Sequence, residues 1–256
     1  MKVFALTGRN IINFLSVIGR LSIFIYKGVS SCILPPYYVS VLGKQIVEIG
    51  YYSLPVVGLT TFFSGMVLAL QSYTGFARFS AEGAVATVVA LSITRELGPV
   101  LAGLMVAGRI GASIAAEIST MRVTDQIDAL ETLTTDPYKY LVAPRIVACV
   151  LCLPFLVLVG DLIGIYGGYL VGIHKLGFNN TTYLTQTIMY LQPVDVISGI
   201  VKAAAFGFLI GLMGCYHGYY ANHGAQGVGT ATTNAVVSSS ILILVTNYLL
   251  TELFFV

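Results

Sequence analysis

Tryptophan is absent from this 256-residue chain, and charge is scarce: Asp, Glu, Lys and Arg together make up 9% of it. A water-soluble domain carries roughly 25% charged residues, so the chain cannot clothe a soluble surface. With 57% hydrophobic residues and a mean hydropathy of +0.88, it reads as an all-α polytopic membrane protein. Any interfacial aromatic belt has to come from its 16 tyrosines. The cysteines, Cys32, Cys149, Cys152 and Cys215, lie in or beside apolar runs. Cys149 and Cys152 form a C-x-x-C, but no second pair or histidine cluster completes a zinc site. They read as small buried hydrophobes, and no cofactor or metal is implied. The phosphate-cradling G-x-x-x-x-G-K-[ST] is missing too. Gly224, Gly227 and Gly229 have neither a preceding strand nor a following lysine, and read as a break before the last span. No internal repeat, linker or low-complexity tail is visible.

Acidic residues are missing from residues 1–30, which contain Lys2, Arg9, Arg20 and Lys27. Arg9, Asn13, Ser16, Arg20 and Lys27 recur at helical spacing, and Phe4, Leu6, Ile11, Phe14, Leu15, Ile18 and Ile25 supply the apolar remainder. This pattern predicts an amphipathic helix lying in the membrane interface, with residues 1–46 as helix and connector. Val29-Ser30-Ser31-Cys32 mimics a lipoprotein processing box, but Arg20 and Lys27 interrupt the apolar core that a cleaved leader requires. Pro35-Pro36 ends the helix.

A crossing needs about 20 mostly apolar residues. Five such runs follow, over about 50–73, 84–113, 142–172, 194–219 and 230–256. Lysine and arginine are concentrated in the N-terminal segment (Lys2, Arg9, Arg20, Lys27, Lys44) and the 114–145 connection (Arg122, Lys139, Arg145). The opposite side has Arg78 and Lys175. The positive-inside rule therefore places the N-terminus and the 114–140 connection in the cytoplasm, and five spans put the C-terminus outside.

The densest information lies in residues 95–136. Arg95 and Glu96 fall inside the second span, where a charge costs at least about 2.5–3.5 kcal/mol. Being adjacent, they sit about 100° apart on a helix and are expected to find partners on different faces. Pro99 displaces the carbonyl of residue 95, so a kink is expected at the charge. Lys202 lies inside the fourth span, and Asp161 and Glu252 in the outer halves of the third and fifth. Together they read either as internal pairs that hold the bundle together or as a polar cavity for a charged headgroup, open outward, with apolar walls for tails. The cavity is favoured because a buried ion pair alone is weak evidence for stability. Gly103, Ala107, Gly108, Gly111, Ala112, Ala115 and Ala116 supply a small-residue packing seam. Beyond it, Arg122, Asp125, Asp128 and Glu131 recur every three residues, against Ile118, Met121, Val123, Ile127 and Leu130. One helix over about 117–133 is expected, either an ordinary solvated connection or, the favoured reading, a docking helix whose polar edge meets a soluble partner. Asp136-Pro137 reads as the cap and start of the next helix.

The run RELGPVLAGLMVAGRIGASIAAEISTMRVTDQIDALETLTTDP resembles the signature of the MlaE (YrbE) permease family. The likeness extends to GMVLALQSY at 65–73, Pro144-Arg145, Lys202 and GVGTATTNAVVSSS at 227–240. These permeases are membrane subunits of ABC transporters that move lipid between the inner and outer membranes of diderm bacteria. The resemblance implies a permease domain over 47–256 in the bacterial inner membrane, and a pairing of two permease copies. It also implies an ABC ATP-binding subunit on a coupling helix at 117–133 and an MCE-domain substrate-binding protein outside. By the same implication, phospholipid binds near Arg95, Glu96, Leu97, Leu68, Phe76, Phe79, Lys202 and Asn247. Glu117, Met121, Arg122, Asp125, Asp128 and Glu131 would face the ATPase. Asn247 stands where the family often has an acid, so charge pairing between Lys202 and the last helix is in question.

Two other classes compete. A proton-coupled secondary transporter of an amphipathic substrate could use Glu96, Asp161 and Glu252, but such proteins commonly show inverted repeats. An intramembrane enzyme could use His217 or His174, but His217 stands among Tyr216, Tyr219 and Tyr220 with no nucleophile or metal partner nearby in sequence.

Overall fold

A computed structural model describes residues 2–79, 82–222 and 224–255; the side chains of residues 2–11, 13, 14, 79 and 82 lie outside the described set. The described residues are helical, without strand. In chain order the helices are α1 (Lys2–Ile33), α2 (Val39–Gly50), α3 (Leu54–Phe76), α4 (Val85–Ser92), α5 (Gly98–Val106), α6 (Ala112–Val123), α7 (Gln126–Thr132), α8 (Ala143–His174), α9 (Asn180–Tyr190), α10 (Pro193–Tyr219) and α11 (Ala225–Phe255). Segments of π-helix at Ile93–Leu97 and Ala107–Gly111 join α4, α5 and α6 into one rod, and another at Tyr138–Val142 leads into α8.

Six stretches are long and apolar enough to cross a membrane: Leu15–Ile33, Val39–Phe76, Val85–Val123, Tyr138–His174, Pro193–Tyr219 and Ala225–Phe255. The last five match the spans read from sequence, apart from residues 84 and 256, and extend each at one end or both. The extra stretch belongs to α1, where the expectation was an interfacial helix: Arg20 and Lys27 break the apolar run without lowering it below what a crossing needs. The boundary expected at residue 46 falls inside α2, because α2 continues through a 3₁₀ turn at Tyr51–Ser53 directly into α3.

The core is helix on helix, held close by small residues. A methyl group on Gly65 of α3 would overlap the Gly164 carbonyl oxygen of α8, and one on Gly207 of α10 would overlap the Cys149 carbonyl oxygen of α8. Only glycine permits such backbone contact, which is how apolar helices gain packing energy in lipid. Val57, Thr61 and Gly65 meet α8 at Gly160 and Gly164, so α2–α3 and α8 run parallel; Gly207 and Gly211 meet Cys149 and Ile146, so α10 runs antiparallel to α8. Lys202 meets Thr251, and His217 lies 3.0 Å from Ser238, so α11 is antiparallel to α10. One end of the bundle therefore gathers α7, the start of α8 and the end of α10. There Phe24 of α1 is fully buried, its ring 5.5–6.0 Å from those of Tyr138, Tyr216, Tyr219 and Tyr220. The other end gathers α9, the start of α10 and the end of α11.

Candidate functional site

Near that second end, the rod of α4–α6 carries Arg95 and Glu96 against α10 and α11. The backbone explains the site before the side chains do. Proline at 99 offers no N–H, so the Arg95 carbonyl loses its usual helical donor. The chain winds wide over Ile93–Leu97, and the Gly98 amide bonds the Ile93 carbonyl instead. The expected kink is thus a π-segment, which leaves a carbonyl free for Lys202. The Lys202 ammonium, fully buried, donates to the Arg95 carbonyl at 2.8 Å, to Glu96 Oε1 at 2.8 Å and to Thr251 Oγ1 at 2.7 Å. Its three protons therefore have three acceptors. Asn247 Nδ2 donates to Glu96 Oε2 at 2.8 Å, and the Thr251 hydroxyl lies 2.8 Å from Glu96 Oε1.

Arg95 Nε donates to Asp195 Oδ1 at 2.7 Å, and its guanidinium lies 4.4 Å from the centre of the Phe255 ring, within cation–π range. The other Asp195 oxygen accepts from the Gln192 amide at 2.9 Å, capping α10. Asp195 and Lys202 stand seven residues apart on one face of α10. Arg95 and Glu96 therefore share a partner face after all, a correction to the expectation from their 100° separation: the long arginine reaches along the helix axis to the cap. Lys202 pairs with Glu96, and from the last helix it takes a neutral hydroxyl, while Glu252 is exposed. The members with spare capacity are Arg95 and Glu96, whose side chains are 35% and 38% exposed.

Leu68 and Phe76 do not join this network. They pack on a separate apolar cluster around Val85, Val89 and Ile93. Leu97 is half-buried beside the network, and the Phe79 side chain lies outside the described residues. Asp161 of α8 is buried with Oδ1 unpartnered among the described residues, lodged so tightly against Gly98 that a methyl group there would overlap it.

At the opposite end, the helix expected over 117–133 is two helices. The backbone turns at Asp125, whose φ of 56° is left-handed, a region that aspartate tolerates better than most residues. α6 thus ends before Asp125 and α7 begins after it, so the three-residue repeat does not trace one straight edge. The turn lets Arg122 bond Asp128 at 2.6 Å and places its guanidinium 6.0 Å from the Tyr219 ring centre. Glu131 accepts from the Tyr219 hydroxyl at 3.4 Å. Ile118 and Ile127 are buried and Met121 packs on the core, while Asp125, Asp128 and Glu131 are exposed. Glu117 sits two turns higher and bonds the buried Arg145 at 2.8 Å. Asp136 caps the next helix through the Tyr138 amide at 2.9 Å.

Sequence reading missed two members of these networks and one arginine outside them. Asp195 was hidden as an ordinary helix cap; Q-x-x-D at a helix start is the signal for it. Thr251 lies one turn after Asn247, a spacing that puts both toward Glu96. Arg109, inside the second span, lay unremarked within the small-residue seam.

The chain is similar over residues 42–253 to the family described as permease MlaE. It is 64% identical to a probable ABC transporter permease protein of Rickettsia prowazekii, covering 100% of this chain and 98% of the relative. It is 33% identical to the intermembrane phospholipid transport system permease protein MlaE of Haemophilus influenzae, covering 97% and 95%. It is also 36% identical to protein trigalactosyldiacylglycerol 1, chloroplastic, of Arabidopsis thaliana, covering 83% of this chain and 61% of that protein.

Proposed function

Because the chain belongs to the MlaE permease family, making it an ABC transporter permease, we propose that it moves phospholipid between the inner and outer membranes and so maintains outer-membrane lipid asymmetry. In this reading it works as a pair of permease copies in the bacterial inner membrane, with ATP hydrolysed by a separate subunit and an MCE-domain protein on the outer face. The name of the Haemophilus relative supports phospholipid as cargo. The observation that carries the reading is the Arg95 head, anchored through one nitrogen to Asp195 and left part-exposed at the edge of a buried polar network. Guanidinium suits phosphate because its planar fork matches two oxygens at once. Leu97 flanks the headgroup position; Leu68 and Phe76 line the acyl-chain path.

The exposed acids Asp125, Asp128 and Glu131, with Arg122, Met121 and Glu117 behind them, form the ATPase-facing end. The N-terminus and α7 are cytoplasmic. The exposed apolar residues of α1, among them Leu15, Ile18, Ile23 and Tyr26, face lipid while the helix lies at the cytoplasmic boundary beside the tyrosine cluster. The competing reading, a proton-coupled carrier, draws on the unpartnered Asp161. Transport in vesicles separates the two: ATP supports it in the first case, and an imposed proton gradient without ATP in the second. Replacing Arg95 by alanine is expected to lower phospholipid bound to the purified complex several-fold with the subunits intact; unchanged lipid content refutes the headgroup role.

A further inference from the structure

The rod of α4–α6 contains two intramembrane arginines, each inside its own π-segment: Arg95 in Ile93–Leu97 and Arg109 in Ala107–Gly111. Local widening of this kind in a helix is frequent at functional sites. Arg95 has a carboxylate. Arg109 has none among the described residues. Its Nη1 donates to Ser53 Oγ at 2.7 Å and to the Glu48 carbonyl at 3.4 Å, both neutral acceptors. Nε and Nη2 have no partner among the described residues and are not buried. Fourteen residues separate the two arginines, about 21 Å along a helix, so Arg109 lies toward the α7 end. The Gly50 turn beside it packs against Cys152, well inside α8. An arginine within a span is costly unless its charge is met. Its two neutral acceptors do not neutralise that charge.

We propose that Arg109, oriented by Ser53 and the Glu48 carbonyl, is a second anion site within the membrane, and that it takes the phosphate of a phospholipid. The inference rests on the lipid-transport reading and adds a position to it: a headgroup station about 21 Å from the Arg95 network, on the α7 side. The geometry favours phosphate because the free edge of the guanidinium, Nε with Nη2, is the edge that binds two oxygens of one group. Ser53, in the 3₁₀ turn between α2 and α3, fixes the other edge. The turn also exposes Tyr51 and Tyr52, and Met105 is exposed one turn along the rod from Arg109. The station therefore opens on a surface that acyl chains can cover.

The test is photo-crosslinking. The full chain with its partner subunits is placed in nanodiscs of phosphatidylethanolamine and phosphatidylglycerol in which a fraction of the lipid carries a diazirine near the phosphate. Labelled peptides are mapped by mass spectrometry. The expected result is labelling of peptides spanning 47–53 and 105–113, reduced about tenfold in Arg109→Gln and kept in large part in Arg109→Lys. Equal labelling in Arg109→Gln overturns the proposal. So does dissociation of the permease pair in that variant with labelling unaffected, since the charge would then be met by a carboxylate of the second copy. If Arg109→Gln does not accumulate, Ser53→Ala replaces it and is expected to lower the same labelling several-fold; no change there overturns the proposal equally. Labelling around Arg95 with none around Arg109 in the unmodified chain defeats this inference alone, whereas no labelling at either place defeats the lipid reading.

Discussion

Neutralising one partner at a time in the Lys202–Glu96 pair should produce unequal damage. In Glu96→Gln the ammonium of Lys202 stays fully buried and keeps acceptors only in the Arg95 carbonyl, Thr251 and an amide. An uncompensated buried charge of this kind costs about 3–5 kcal/mol. In Lys202→Met the surviving charge is Glu96, whose side chain is 38% exposed and still accepts from Asn247 and Thr251. Water and those donors hold that carboxylate, so the loss should be about 1.5–3 kcal/mol, the range of one hydrogen bond to a charged group. The double variant removes both charges and should be no worse than Glu96→Gln alone, giving a coupling at least as large as the Lys202→Met loss, about 1.5–3 kcal/mol. Unfolding of the purified protein by SDS in mixed micelles measures all three. If Lys202→Met proves the more damaging single change, or if the two losses simply add, burial is not what makes this pair matter.

Other perturbations follow from the packing and the turn. Gly65→Ala should destabilise by more than about 3 kcal/mol, because its methyl group meets backbone that cannot yield, while Gly43→Ala, with open space around it, should stay within about 0.5 kcal/mol; thermal unfolding in detergent compares them. Reversing Asp125 and Asp128 to lysine should abolish co-purification with an ATP-binding subunit, and an intact complex would remove α7 from that interface. Cysteine placed at Leu133 or Met189, both strongly exposed and at opposite ends of the bundle, should react with an impermeant maleimide from opposite sides of the membrane, Leu133→Cys from the cytoplasm. Labelling of both from one side would invalidate the assigned topology.

The spans were readable because lipid imposes one simple demand, a run of apolar residues long enough to cross, and the five expected runs match the long helices. Their ends were not readable, because Val39–Phe76 and Tyr138–His174 continue past the point where apolarity alone would stop them. Arg95, Glu96 and Lys202 stood out as charges where charge is expensive. Their pairing was hidden for a geometric reason: ideal 3.6-residue winding separates Arg95 from Glu96, and nothing in the sequence reports a local π-turn except the proline after it. The break at Asp125 was hidden in the same way. Arg122, Asp128 and Glu131 keep a regular spacing, and the left-handed residue between them is an aspartate, where a glycine would have given the turn away.

That break changes what the α7 end can do. A straight helix from 117 to 133 would pass a push on its tip directly along the rod. The structure instead folds α7 back, so that Arg122 of α6 grips Asp128 and leans on Tyr219 of α10, and Glu131 touches the same tyrosine through its hydroxyl. Tyr219 in turn packs against Tyr138 at the start of α8 and against Phe24 of α1. A displacement of α7 is therefore shared among α6, α10, α8 and α1 at once. α10 carries Asp195 and Lys202 at its other end, the partners of both Arg95 and Glu96. The mechanical connection between the two ends of the molecule thus has two members, the α4–α6 rod and α10, locked together near one end by ion pairs and near the other by an arginine on a tyrosine. A rotation of α10 against the rod would strain the Lys202 contacts with the Arg95 carbonyl and Glu96 together with the Asp195 contact with Arg95. The buried ammonium is therefore positioned to hold one arrangement of the pair.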